Sequence, residues 1–126
     1  MILLDTHILI WLALEPSKVS RKAKVALRAQ RMLADISLRE IAALQRAGRI
    51  EIDGRISDWL SDALERLSIE VVPIDAGIAA RSVNIAVNFH GDPADQLIVA
   101  TAIELDIPLV TADERILQSP TVKTIW

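Results

Sequence analysis

The sequence predicts an α/β fold in which a central, mostly parallel sheet is flanked by helices on both faces. Three observations carry that expectation. Short apolar runs suited to buried strands alternate along the chain with longer segments of helical spacing. The segment Leu97–Leu105 is apolar nearly all round, as a helix sunk between other layers must be. And 126 residues, with no internal repeat, low-complexity tract or linker, suit one domain over residues 1–126 with a real core.

The elements follow in order. Residues 1–5, Met-Ile-Leu-Leu-Asp, read as a short buried strand ending on a carboxylate. Residues 8–14 stay apolar, in a helix from about His7 that stops before Glu15-Pro16. Ser20 is a natural cap for a basic helix running to about Arg31. Met32–Ile36 reads as a strand. A helix from Ser37 then ends at Gly48, a residue free to turn left-handed, with Arg46 and Arg49 near its negative end. In residues 56–67, Ile56, Trp59, Leu60, Ala63, Leu64 and Leu67 recur at helical spacing. Ile69–Ile74 is a β-rich strand, and Asp75 caps a helix through about Val87. Asp92-Pro93 opens the next helix, with the acid at the cap and proline in the first turn. Pro108–Thr111 is a last clear strand and Val122–Ile125 a weaker one.

Composition excludes several classes. Hydrophobic residues make up 52% and charged residues 25%, a globular balance and not a disordered one. No apolar run reaches the ~18 residues of a membrane span, because Asp5, Thr6 and His7 interrupt the best candidate. No basic stretch precedes Ile2, so a secretory signal is not expected. The absence of cysteine excludes disulfides and thiolate metal sites and agrees with a cytoplasmic location. No HExxH motif, Gly-rich phosphate loop or G-x-S-x-G elbow supports a zinc peptidase, P-loop NTPase or serine hydrolase.

Net charge is 14 − 17 = −3, which does not suit binding nucleic acid by bulk charge. The distribution is more informative. Lys18, Arg21, Lys22, Lys24, Arg28 and Arg31 occur with no acid among them, and Arg39, Arg46 and Arg49 follow. Such a face can meet phosphates, although a solvated helix face has the same composition. With only Trp11, Trp59, Trp126 and Phe89 as aromatics, base stacking offers little.

The acids of interest are Asp5, Glu40, Asp95 and Asp113. Each has a plain structural explanation. Asp5 can cap the first helix and Asp113 a short one over Glu114–Leu117. Ser37-Leu-Arg-Glu40 is a literal capping box, and Asp95 stands in the first turn behind Asp92. Taken as a set they say more, since Asp5 and Asp113 fall at strand ends, where open α/β sheets bind ligands. Carboxylates gathered there repel one another until a divalent cation joins them. An all-oxygen set selects Mg²⁺ or Mn²⁺. Such a cation can activate water toward a phosphodiester and offset the charge that develops on phosphate.

Four segments in this order resemble the PIN-domain nucleases, and most closely the VapC-type toxins of bacterial toxin–antitoxin pairs. They are Ile2-Leu-Leu-Asp-Thr-His7, Ile36-Ser-Leu-Arg-Glu-Ile-Ala42, Gly91-Asp-Pro-Ala-Asp-Gln-Leu-Ile98 and Leu109-Val-Thr-Ala-Asp113. The resemblance implies a PIN fold, dependence on Mg²⁺ or Mn²⁺, and endonucleolytic cutting of RNA. It makes Asp5, Glu40, Asp95 and Asp113 the catalytic and metal-binding acids, with Asp92 an additional or supporting one. Thr6 and Thr111 become carboxylate-orienting partners. It also implies a cognate antitoxin, with a homodimer or a heterotetramer or hetero-octamer as the assembly. The chain departs from the common pattern at Arg39, where relatives often carry an apolar residue, and at Gln96, where they commonly carry arginine. Arg39 is the candidate to supply that charge, and Arg28, Arg39, Arg46 and Arg49 are the candidate RNA contacts.

Rival readings remain at this point. His7 and His90, the only histidines, could run metal-free acid–base cleavage of RNA. His7, beside Asp5 in an apolar stretch, suits a structural role better, and His90 falls in the loop before a helix. A phospho-acceptor receiver module has similar length and clustered acids, but Asp5 lacks the neighbouring acid such modules carry. A PIN fold that binds metal and partner without cleaving is the third alternative.

Overall fold

The computed structural model describes residues 1–85, 89 and 91–126. Its elements are β1 (Ile2–Leu4), α1 (Thr6–Leu14), a single 3-10 turn (Pro16–Lys18), α2 (Arg21–Ala26), β2 (Arg31–Ala34), α3 (Ile36–Arg46), α4 (Ile56–Arg66), β3 (Ile69–Val72), α5 (Ala76–Ile85), α6 (Pro93–Leu105), β4 (Leu109–Val110), α7 (Glu114–Leu117) and β5 (Thr124–Ile125). The strands form one sheet in the order β3-β2-β1-β4-β5. Every pairing is parallel, with Leu3 opposite Met32 on one side and Leu109 on the other. The expected alternation therefore yields the expected α/β sheet, wholly parallel rather than mostly so.

Side chains alternate along each strand, and two cores result. Ile2, Leu4, Leu33 and Val110 meet α1 to α4 through Ile8, Leu9, Ala23 and Ile41. Leu3, Met32, Ala34 and Leu109 meet α5 to α7 through Ile78, Ile98, Val99 and Ile116. Both faces of the sheet are covered, which is why its short strands read as continuous apolar runs. The α6 helix supplies Ile98, Val99, Ala100, Thr101 and Ala102 to the interior, but Leu105 at its end is exposed and Glu104 pairs with Arg81. Among the described residues no helix is long and apolar enough to cross a membrane.

Element boundaries differ from expectation in instructive places. The basic helix capped by Ser20 ends at Ala26, not near Arg31, and Arg31 instead opens β2. There its Nε donates to Leu27 O at 2.8 Å and its Nη1 to Leu67 O at 2.8 Å. These carbonyls belong to the residues that close α2 and α4. One guanidinium thus satisfies two helix ends, an arrangement that sequence spacing does not reveal. The α3 helix begins at Ile36, so Ser37 lies inside it and the capping box does not form. Its other end does match expectation. Gly48 has φ +73°, its N–H donates to Gln45 O, and Arg49 N donates to Leu44 O, the double bond of a Schellman terminus. The strand expected to reach Ile74 stops at Val72, beyond which Ile74 N donates to Asp35 Oδ2. The helix end expected near Val87, and His90, lie outside the described residues.

Candidate active site

The strand order locates a crevice. The chain leaves β1 for β2 on one side and later crosses over to β4 on the other. Loops beyond the carboxyl ends of two such strands diverge and leave an opening between them. Asp5 follows β1 directly, Thr111 and Asp113 follow β4, and Asp5 N donates to Val110 O at 3.0 Å across the pair. The other acids arrive on helix N-termini: Glu40 on α3, Asp92 at the cap of α6, and Asp95 in its first turn.

Asp5 is 6% exposed, yet no cation pairs with it among the described residues. Hydrogen bonds hold it instead. Thr6 N donates to Oδ1 at 2.8 Å, capping α1, and Thr111 Oγ1 donates to Oδ2 at 2.7 Å. Burial raises its pKa above the usual carboxylate value, and those two hydrogen bonds offset part of the rise. Capping and site geometry are here the same feature, because the cap points the carboxylate out of the strand end.

Glu40 does not turn back toward Ser37. Its Oε1 lies 2.5 Å from Thr6 Oγ1, which is also 2.8 Å from the fully buried Ser37 Oγ. The first turn of α3 is thereby tied to the first turn of α1, and the carboxylate faces the crevice. Burial raises the Glu40 pKa, the Thr6 bond opposes it, and the charges of Asp5 and Asp92 raise it further.

Asp95 is a strongly perturbed acid. Burial first, then the negative charges of Asp92, Asp5 and Glu40, push it to about 6, against an opposing pull from Arg115. Carboxylate oxygens of Glu40, Asp92 and Asp95 all lie within 4.8 Å of one another. Asp92, expected as an additional or supporting acid, therefore stands in this group. It reaches there while capping α6, since Asp95 N donates to Asp92 Oδ1 at 2.8 Å. Gly91 permits the approach: a Cβ on it would sit 2.9 Å from Asp95 Cβ and 2.5 Å from the Phe89 ring.

Asp113 accepts from Arg115 N at 2.9 Å through Oδ1 and from Arg115 Nη2 at 3.1 Å through Oδ2. Burial pushes its pKa up, but the Arg115 hydrogen bonds and charge outweigh that and leave it lowered. The same Nη2 reaches Asp95 Oδ2 at 3.1 Å. Arg115 is thus part of the cluster, and sequence reasoning missed it. The available signal was an arginine in the first turn of the helix that Asp113 caps.

The remaining candidates divide by position. Arg39 is exposed beside Glu40, in the first turn of α3. Arg46 and Arg49 are exposed at the opposite end of that helix. Arg28 is exposed between α2 and β2, at the amino end of the strands, the opposite end from the acids. Gln96 turns its amide inward, donating to Gly91 O at 3.0 Å. His7 is exposed and stacks obliquely on Trp11, 6.1 Å between ring centres.

A wholly parallel five-stranded sheet with an acidic crevice beyond β1 and β4 is the arrangement of the PIN domain, and that family matches residues 2–120. The chain belongs to the PIN domain family. It is 36% identical over 129 aligned positions to ribonuclease VapC22 of Mycobacterium tuberculosis, covering 99% of this chain and 98% of that protein. A toxin–antitoxin complex from Klebsiella pneumoniae contains a chain 26% identical to it, with TM-score 0.69 over 97% of this chain and 95% of that one. VapBC2 from Rickettsia felis, bound to a DNA fragment from its promoter, shares the fold with TM-score 0.71 at 18% identity, over 98% and 97% of the two chains. Family membership removes the receiver-module alternative.

Proposed function

We propose that this protein is the toxin of a toxin–antitoxin pair, a cytoplasmic metal-dependent endoribonuclease that hydrolyses RNA phosphodiester bonds. One observation carries the reading: oxygens of Glu40, Asp92 and Asp95 converge within 4.8 Å beside Asp5 and Asp113. The donor set is all oxygen and anionic, and Asp95 is pushed to about 6 by burial and then by its acidic neighbours. That chemistry fits a hard divalent cation, Mg²⁺ or Mn²⁺. Asp5, Glu40, Asp95 and Asp113, with Asp92, are the residues that would hold it. When bound, the cation would supply Lewis acidity toward the scissile phosphate and toward water.

The chain's own groups do the positioning. Thr111 fixes Asp5 from just beyond β4, and Thr6 fixes Glu40 from α1, so hydrogen bonds between separate elements hold two carboxylates at one opening. Arg39, exposed and next to Glu40 in α3, is the arginine this reading favours as a contact to an RNA phosphate. Arg28, at the amino end of the strands, is the weaker candidate for contact with the scissile region. The protein partner is a cognate antitoxin, in keeping with the toxin–antitoxin assemblies among its structural relatives, and the assembly is a homodimer or a heterotetramer or hetero-octamer with that antitoxin.

The test is incubation of the purified, antitoxin-free chain with total RNA, with and without Mg²⁺ or Mn²⁺, beside Asp5→Asn. Metal-dependent cutting that is lost in the variant and leaves 5′-phosphate ends supports the reading. Ends bearing 2′,3′-cyclic phosphate would implicate attack by the ribose hydroxyl, and with it the histidines. Metal uptake without cutting would assign the fold to binding alone.

A further inference from the structure

Arg115 stands apart from every other cation in the chain. Among the described residues it alone forms ion pairs with the crevice acids, reaching Asp95 and Asp113 through one nitrogen at 3.1 Å each. The two pairings are unequal. Asp113 also accepts from the Arg115 backbone N at 2.9 Å, and its Oδ1 lies 3.4 Å from Nε. The arginine is therefore anchored within its own turn, and it touches α6 by a single prong on Asp95.

Asp95 is also one of the three acids whose oxygens converge. A divalent cation seated against Asp95 would stand within a few ångströms of a guanidinium that holds the same carboxylate. Two positive charges at that distance exclude one another. Arginine cannot escape by losing its proton. It can escape by moving, because its side chain is 61% exposed while that of Asp95 is 13% exposed. Water is ready to receive the arginine, and the acid has to stay.

We propose that Arg115 is the protein's own competitor for the divalent cation: its guanidinium bridges Asp95 and Asp113 in the cation-free protein and releases Asp95 when the cation binds. The proposal rests on the acid cluster being a metal site, as proposed above. Arg115 is on this account a positioning residue that sets how tightly the cation is held. It keeps Asp95 and Asp113 facing each other in its absence and lowers the apparent affinity in return.

The experiment is titration calorimetry of the antitoxin-free protein with Mn²⁺ alone, without RNA, for the unmodified chain, Arg115→Gln and Lys22→Gln. Arg115 is exposed enough for the variant to fold, and a thermal melt checks this. Arg115→Gln should bind Mn²⁺ more tightly, on the order of three- to tenfold. Lys22→Gln, which removes one exposed positive charge from α2, a helix packed in the other core from α6 and α7, should leave the affinity unchanged. Equal or weaker binding by Arg115→Gln overturns the proposal. So does equal tightening by Lys22→Gln, which would make the effect one of net charge. Failure of all three proteins to take up Mn²⁺ would instead overturn the metal-site reading itself, and this proposal with it.

Discussion

Thr111 Oγ1 donates to Asp5 Oδ2 over 2.7 Å, joining two side chains that are 106 positions apart in sequence. The same hydroxyl oxygen accepts from Asp113 N at 3.0 Å. Thr111 is fully buried, so both bonds form away from water. Thr111→Val keeps the shape and removes the hydroxyl, stranding one oxygen of Asp5 and one backbone N–H. A buried group left without its partner costs about 1–3 kcal/mol. Urea unfolding should register that loss, RNA cleavage should fall with it, and Thr111→Ser should restore most of both. Unchanged stability in Thr111→Val would mean the bond contributes nothing.

The crowding of acids has a thermodynamic consequence. Asp95 titrates at about 6 in the folded protein, against 3.8 as its ordinary value. A raised carboxylate contributes stability that is fully present below about 3.8 and is lost as pH climbs through about 6. Asp5 and Glu40 are shifted in the same direction, while Asp113, which is lowered, works the other way. In EDTA the protein should lose on the order of 1–3 kcal/mol between about pH 4.5 and pH 7.5. Asp95→Asn should flatten that slope, be the more stable protein at pH 7.5, and cut no RNA. Parallel slopes for the two proteins, measured by thermal melts across that range, would rule the account out.

A cation should remove the same penalty. Mg²⁺ added to the unmodified protein at about pH 7.5 should raise its melting temperature toward that of Asp95→Asn, and should raise that of Asp5→Asn far less. Stabilisation by binding grows with the logarithm of free ligand once ligand exceeds its dissociation constant, so the concentration at which the rise sets in reports the affinity. A melting temperature indifferent to Mg²⁺ at millimolar concentrations would leave the acids without a shared ion.

Much of this was legible in the sequence for definite reasons. Covered on both faces, β1 and β2 had to be apolar throughout, so Ile2–Leu4 and most of Arg31–Ala34 stood out. Asp92 and Asp113 announced their helices because a cap is a local feature, complete within a few residues. What failed was whatever depended on a distant partner. Ser37 and Glu40 satisfied a local capping rule, but Thr6, on another helix, claims both side chains. Arg31 read as the tail of a basic helix because nothing nearby shows that Leu67 O, 36 positions on, needs a donor. Arg115 was passed over because its partner Asp95 lies 20 positions away. That Asp92 comes close to Glu40 was not legible either, because chain order does not show which acids on different helices converge.

The two bonds of Arg31 yield a prediction confined to the scaffold. Its guanidinium closes the ends of α2 and α4, at the amino end of β2 and so remote from the crevice. Hydrogen bonds from a charged donor are worth about 1.5–3 kcal/mol, less where water competes. Arg31→Ala should therefore lower unfolding stability by about 1–3 kcal/mol, with kcat and KM for RNA cleavage unchanged at a temperature where the variant is folded. A large change in KM would place Arg31 in contact with RNA and refute the structural role.

Position should likewise separate the exposed arginines. Arg39 follows the carboxyl end of β2 and stands next to Glu40, whereas Arg28 precedes the amino end of the same strand. The four residues of β2 alone span roughly 13 Å, and RNA seated on the acids must pass one end of it only. With Ca²⁺ in place of Mg²⁺ to hold RNA without turnover, Arg39→Ala should weaken binding several-fold and reduce the salt dependence by about one phosphate contact. Arg28→Ala should leave both unchanged. Arg46 and Arg49 lie beyond the first turn of α3, on the end away from the crevice, so each should matter less than Arg39. Equal losses for Arg28→Ala and Arg39→Ala would mean that RNA wraps the basic α2 face as well. Charge would then have to be counted over the whole protein and not over the rim of the site.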